Sequence, residues 1–154
     1  MYESRYGTAK KAAGYIASKL GSAAEMMTSG KAAKKDPGDF DNIIIGGSIM
    51  MGKIQKKISD YIDANMDTLL KKRIALFLAA ANTEKEGLEK EINDAFPKRL
   101  RDVSLYTAHA GYAYVFEKMN FIFKAIIKKM ANTDKSVENI NYEELDRIVQ
   151  IING

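Results

Sequence analysis

Two hydrophobic periods alternate along this chain of 154 residues, and the points where one gives way to the other predict its elements. Continuous apolar runs bounded by turn residues suit strands buried on both faces. Asn42-Ile43-Ile44-Ile45-Gly46-Gly47 is the clearest, entered from Asp36-Pro37-Gly38-Asp39 and closed by its two glycines. Ile74-Ala75-Leu76-Phe77-Leu78-Ala79-Ala80-Ala81 is the second and stops at Asn82-Thr83; Val103 to Ala108 predicts a third strand and Ala23 to Met27 an edge strand. Helical spacing fills the gaps: Ala12, Ala13, Ile16, Ala17 and Leu20 within Thr8 to Leu20, then Ile54, Ile58, Tyr61 and Ile62 within Lys53 to Asn65. Glu84 to Ala95 predicts a charged helix stopped near Pro97. Tyr112 to Ala131 predicts a long helix with Val115, Met119, Ile122, Phe123, Ile126, Ile127 and Met130 on one core-facing stripe, and Tyr142 to Ile152 a last one carrying Leu145, Ile148, Val149 and Ile152. The alternation predicts a three-layer α/β fold, a parallel sheet with helices on both faces.

One element is out of place. A helix starting at Thr8 needs a strand before it to complete the first β-α unit, yet only Met1-Tyr2-Glu3 precede the turn at Ser4 to Thr8. Either the first strand is truncated to a very short piece, or the chain lacks residues that its relatives have.

Composition narrows the chemistry. With 46% hydrophobic and 29% charged residues the chain can bury a core, and its length suits a single domain over residues 1–154. The absence of Cys removes disulfides, thiolate nucleophiles and zinc-thiolate clusters, and suggests the cytosol. A single His removes most of the weight from imidazole metal sites. There is neither an apolar run of about 18 residues nor a signal-peptide core, so the expectation is a protein that is soluble or at most peripheral to a membrane. Twenty-four Lys and Arg against twenty Asp and Glu give a net charge of +4, a mild bias towards anionic partners.

Ligands of open α/β sheets bind beyond the carboxyl ends of the strands, near the point where strand order reverses. Four loops fall on that edge. Ser4-Arg5-Tyr6-Gly7-Thr8-Ala9 opens a helix, where free N–H groups and the helix dipole favour a phosphate, although Ser and Thr there also serve as ordinary caps. Gly46-Gly47-Ser48-Ile49-Met50-Met51-Gly52-Lys53 pairs glycines that admit a flat ligand with polarizable apolar side chains. Ala79-Ala80-Ala81-Asn82-Thr83 and Ala108-His109-Ala110-Gly111-Tyr112 end the next two strands.

Tyr2 to Ala9 followed by a helix, then Asp41 to Lys53 with its Gly-Gly-Ser-Ile-x-x-Gly segment, then Ala110-Gly111 ahead of Glu117-Lys118-Met119-Asn120-Phe121, resembles the flavodoxin-domain family. Within it the chain looks most like the branch of menaquinone-dependent, flavodoxin-like protoporphyrinogen dehydrogenases. The resemblance implies noncovalent FMN. Ser4, Arg5, Tyr6, Gly7, Thr8 and Ala9 would hold the phosphate; Ser48, Ile49, Met50, Met51 and Gly52 would flank the isoalloxazine. Ala80, Ala81, Asn82 and Thr83 would form the second flavin loop, and Gly111 and Tyr112 would border the substrate side. No side chain is expected to act as a covalent catalyst, because the flavin carries the redox chemistry.

Two functions follow from the resemblance: an oxidoreductase taking hydrogen from a reduced tetrapyrrole and passing electrons to a quinone, or an electron shuttle serving other redox proteins. Shuttle flavodoxins are generally acidic, so the basic balance here favours the enzyme. His109, the lone imidazole, reads as structural before catalytic. Lys118, Lys124, Lys128 and Lys129 flank the long stripe and allow a lesser reading as a membrane-surface patch. Nucleic acid is not an expected partner, since basic and aromatic residues do not interleave in a recognisable motif.

Overall fold

The computed structural model describes residues 1–114, 119–131 and 135–154, with backbone alone at Tyr114, Phe123, Ile126, Ile127, Met130 and Ala131. The chain runs through α1 (Thr8–Leu20), α2 (Ser29–Ala32), β1 (Asn42–Ser48), α3 (Lys56–Leu69), β2 (Arg73–Ala79), α4 (Lys85–Ala95), α5 (Lys98–Val103), β3 (Ser104–His109), β4 (Gly111–Tyr114), α6 (Phe121–Ala131), β5 (Val137–Ile140) and α7 (Tyr142–Asn153). β1, β2 and β3 form a parallel sheet in that order, with Ile45 opposite Leu76 and Leu78 opposite His109. Side chains of a strand alternate between faces, and β2 divides the core accordingly. Ile74, Leu76 and Leu78 pack with Ile58, Ile62 and Leu69 of α3 and with Phe96 and Leu100; Ala75, Phe77 and Ala79 pack with Ala12 and Ile16 of α1 and Leu145 and Ile148 of α7. The three-layer flavodoxin-like arrangement is therefore present. α7 starts where Asn141 accepts the Glu144 N–H at 3.3 Å, with Glu143 and Glu144 in the first turn favoured by the helix dipole.

The first strand is reduced to one bridging residue. Tyr2 lies parallel to Gly46 on one side and to Thr28 on the other. The Tyr2 N–H donates to the Met27 carbonyl at 2.9 Å, Gly46 N–H donates to Met1 O, and Glu3 N–H donates to Gly46 O, both at 3.1 Å. The lateral order is thus Thr28, Tyr2, β1, β2, β3, and strand order reverses between Tyr2 and β1.

Three expectations need correction. Ala23 to Met27 is not an edge strand: Gly21–Ala23 forms a 3-10 turn, and the neighbour it would ladder against is only one bridge long. The long helix does not begin at Tyr112. Gly111–Tyr114 is β4, antiparallel to β5, and the helix starts at Phe121. The reason is pairing with residues 137–140, a partner that local periodicity does not reveal. In the proposed stripe Met119 is buried, but Ile122 is 55% exposed and is not core, because α6 lies in the excursion between β4 and β5 rather than in a crossover between parallel strands. Val115 and the side chains of Phe123, Ile126, Ile127 and Met130 lie outside the described residues.

Candidate functional site

The loop entering α1 presents a helix start with no side-chain cap. Gly7 caps it at φ 99°, and its N–H donates to Ser4 Oγ at 3.1 Å. The first N–H groups of a helix have no intrahelical acceptor and carry the positive end of its dipole, so they suit an anion. Arg5 adds an exposed charge, its guanidinium 5.9 Å from the centre of the Tyr6 ring. Thr8 is committed elsewhere. Its hydroxyl donates to Ala113 O at 3.0 Å and accepts Ala113 N–H at 3.1 Å, which ties α1 to β4. Ala9 places its methyl in the core, fully buried.

After β1 the chain makes a tight hairpin. Ile49 N–H donates to Ala79 O at 2.8 Å, Met50 N–H donates to Lys53 O at 2.8 Å, and Lys53 N–H returns to Met50 O at 3.1 Å. The two central residues take left-handed backbone, Met51 at φ 50° and Gly52 at φ 75°, as a two-residue hairpin of the I′ kind requires. Met51 stands 90% exposed at the tip. Ser48 N–H donates to Gln55 Oε1 at 3.0 Å. That contact needs Gly47, where a Cβ would stand 2.8 Å from the same oxygen. The N–H groups of Ser48, Ile49 and Met50 are thus engaged within the protein. What is left over is the Ser48 hydroxyl and the Gln55 Nε2, both buried without a partner. Leaving such a group unsatisfied costs about 1–3 kcal/mol, so each is a place where a further hydrogen bond would stabilise.

The ends of β2 and β3 complete the surround. Ala80 N–H donates to Gly111 O at 3.1 Å, and His109 Nε2 stands 3.0 Å from Ala80 O, which places the ring proton on that nitrogen. The imidazole therefore fixes the second loop, as its structural reading expected. Behind it on α4, burial raises the Glu91 carboxyl above the usual range, offset in part by the nearby His109 and Lys90, and Glu91 Oε2 has no partner. Asn82 turns away from the ligand edge: its Oδ1 accepts Glu84 N–H at 3.0 Å and its amide lies against Gly87. Gly111 is required by backbone geometry. It sits at φ 80°, and a Cβ there would stand 2.0 Å from Asn139 O.

Together these loops enclose a cleft of about 70 Å³ at the carboxyl ends of the strands, beside the reversal of strand order. Of the residues expected from sequence, Arg5, Tyr6, Thr8, Ser48, Ile49, Met50, Ala80, Ala81 and Tyr112 line it. Ser4, Gly7, Ala9, Met51, Gly52, Asn82, Thr83 and Gly111 do not; they shape the loops from behind, or stand on the exposed side as Met51, Gly52 and Thr83 do. Ala79 and Ala113 also line it and were missed. Ala79 follows from the register of β2, whereas Ala113 was hidden by the helical reading of its segment. Whole-ligand pockets run to about 300–1,000 Å³, so this cleft has room for only one portion of such a ligand. The donor set fits FMN: a helix start and Arg5 for a phosphate, an unpartnered Ser48 hydroxyl for a polar ring edge, and an alanine wall that a flat ring can approach. A larger cavity of about 410 Å³ lies at the opposite end of β1, beside Asp41 to Ile44, and includes none of these loops.

Among the described residues no cluster of His, Asp and Glu could hold a metal ion, and no helix is long and apolar enough to cross a membrane. A family model described as Flavodoxin domain matches residues 1–141. No curated protein matches the chain.

Proposed function

Since this chain belongs to the flavodoxin-domain family, we propose that it is an FMN-dependent oxidoreductase of the protoporphyrinogen dehydrogenase type, moving electrons from a reduced tetrapyrrole to a quinone. The observation that carries the flavin reading is the cleft at the strand-order reversal with the unpartnered Ser48 hydroxyl in its wall. When bound, FMN supplies one- and two-electron redox chemistry. The chain's own residues bind and orient. The start of α1 and Arg5 hold the phosphate, and Ser48 Oγ bonds a polar edge of the ring. Ile49, Met50, Ala80 and Ala81 keep water from that side, and His109 fixes the Ala80 carbonyl so that the wall does not shift. Tyr112 borders the substrate side. The net charge of +4 suits the propionates of a tetrapyrrole better than the docking of a shuttle onto basic partners.

A second reading, an electron-transfer protein without its own substrate, is favoured by Met51, an exposed apolar tip beside the cleft where a redox partner could dock. Purified protein reconstituted with FMN and given protoporphyrinogen and a quinone distinguishes the two. Turnover above that of free FMN is expected. Turnover equal to free FMN leaves the shuttle, and failure to acquire a flavin absorption band rejects both.

A further inference from the structure

Helix α6 is built unlike the helices that cover the sheet. None of its described side chains belongs to either core, and its charged residues are Lys124, Lys128 and Lys129, with no acid between Phe121 and Ala131. At about 100° per residue, Phe121, Ile122, Ala125, Lys128 and Lys129 fall within an arc of about 120°. All five are exposed. Phe121 is 81% exposed beside Ile122 at 55%. A lone exposed apolar side chain is ordinary, but an aromatic and a branched aliphatic residue side by side on an outward face put continuous apolar surface in water. The face is divided along its length, apolar in its first turn and basic in its last. The sequence pattern suggested lysines flanking an inward stripe; in the fold, Ile122 and two of those lysines share the outward face.

A bilayer surface offers both complements at once, an apolar layer a few ångströms beneath a layer of negative charge. We propose that the outer face of α6 is a docking surface for an anionic lipid membrane, with Phe121 and Ile122 entering the boundary between headgroups and acyl chains and Lys128 and Lys129 meeting lipid phosphates. At ~1.5 Å per residue the 11-residue helix is about 16 Å long, roughly half the thickness of a hydrocarbon core, so it lies on the surface and does not span it. The long lysine stems suit that depth, because they run along apolar surface while the ammonium groups stay in water. A second copy meeting the same face would gather four lysines in one contact without an acid of α6 to pair them. The chain reaches α6 from β4, whose Tyr112 and Ala113 line the flavin cleft, but no residue of the docking face lines that cleft and the proposal does not depend on the flavin reading.

The test is flotation of the full chain with phosphatidylcholine vesicles in which about one-third of the lipid is phosphatidylglycerol, at about 0.1 M salt. The chain is expected to float with them, and pure phosphatidylcholine or molar salt should each weaken binding at least about fivefold. Phe121→Ser combined with Ile122→Ser, and separately Lys128→Gln combined with Lys129→Gln, should each weaken it about tenfold. All four positions are exposed, so these variants keep the fold. Because the chain has no Trp, Phe121→Trp supplies a single emitter, whose emission should move to shorter wavelength on the anionic vesicles and be quenched by brominated acyl chains. No flotation with anionic vesicles overturns the proposal. Flotation that both double variants leave intact also overturns it, since the surface would then lie elsewhere. A chain that ignores vesicles yet self-associates until the Phe121→Ser and Ile122→Ser pair restores the monomer overturns it in favour of a second copy. The readout needs no bound FMN, so its failure leaves the flavin reading untouched.

Discussion

Ser48 carries a hydroxyl that the folded chain buries and does not satisfy, an arrangement that costs stability unless something else bonds to it. Ser48→Ala should therefore stabilise the flavin-free protein by about 1 kcal/mol in urea denaturation and weaken FMN binding several-fold in a fluorescence titration. A destabilised alanine variant would show that the hydroxyl already has a partner. Gly111 poses a steric question: its left-handed φ of 80° and the Asn139 carbonyl 2.0 Å from any Cβ predict that Gly111→Ala costs about 2–4 kcal/mol. Gly52 has a similar φ of 75° but open space around it, so Gly52→Ala should cost only about 1 kcal/mol in the same assay. Residue types alone brought Ser48, Ala80 and Ala81 to one cleft wall. They did not disclose that the Thr8 hydroxyl and the Asn82 side chain are engaged inside the fold, because a hydroxyl near a helix start looks the same in sequence whether it faces a phosphate or a strand.

Thr8 shows why the elements were unevenly legible. Its hydroxyl both gives to and takes from the backbone of Ala113, 105 residues away, and so clamps α1 to β4. Replacing it with the near-isosteric Val should cost about 1–3 kcal/mol and accelerate amide exchange at Ala113. β1, β2 and α1 announce themselves through local periodicity, which is why their bounds were close to those expected. β4 and β5 do not. Four residues each, they exist because they pair with one another across α6, and neither has a pattern strong enough to stand alone. The hairpin at Met50 to Lys53 likewise delays α3 to Lys56, since its turn takes residues that the helical spacing had claimed. Short elements defined by distant partners were the part of the fold, and of the cleft wall at Ala113, that sequence could not disclose.

For the molecule as a whole, one buried charge sets a pH dependence. The Met1 amine sits inside, donating to Ile44 O, and burial lowers its pKa from 8.0 to about 6. Between those values the unfolded chain holds a proton that the folded chain has released, so stability rises with pH from about 6 to about 8 and is lost as pH falls through 6. The change amounts to at most about 2–3 kcal/mol, measurable by urea denaturation at pH 5.5 and 8.5. Acetylation of the amine should flatten that slope. The two layers also differ in how far apart in the chain their parts are made. One face of the sheet is covered from residues 32–100, whereas the other joins α1 to α7, with Tyr15 Oη donating to Asp146 Oδ1 across 131 residues. Before α7 is made, the sheet is therefore only half-clad. A fragment ending at about residue 120 should already protect α3 from protease while the Ala75, Phe77 and Ala79 side of β2 binds a hydrophobic dye, which limited proteolysis and dye fluorescence check.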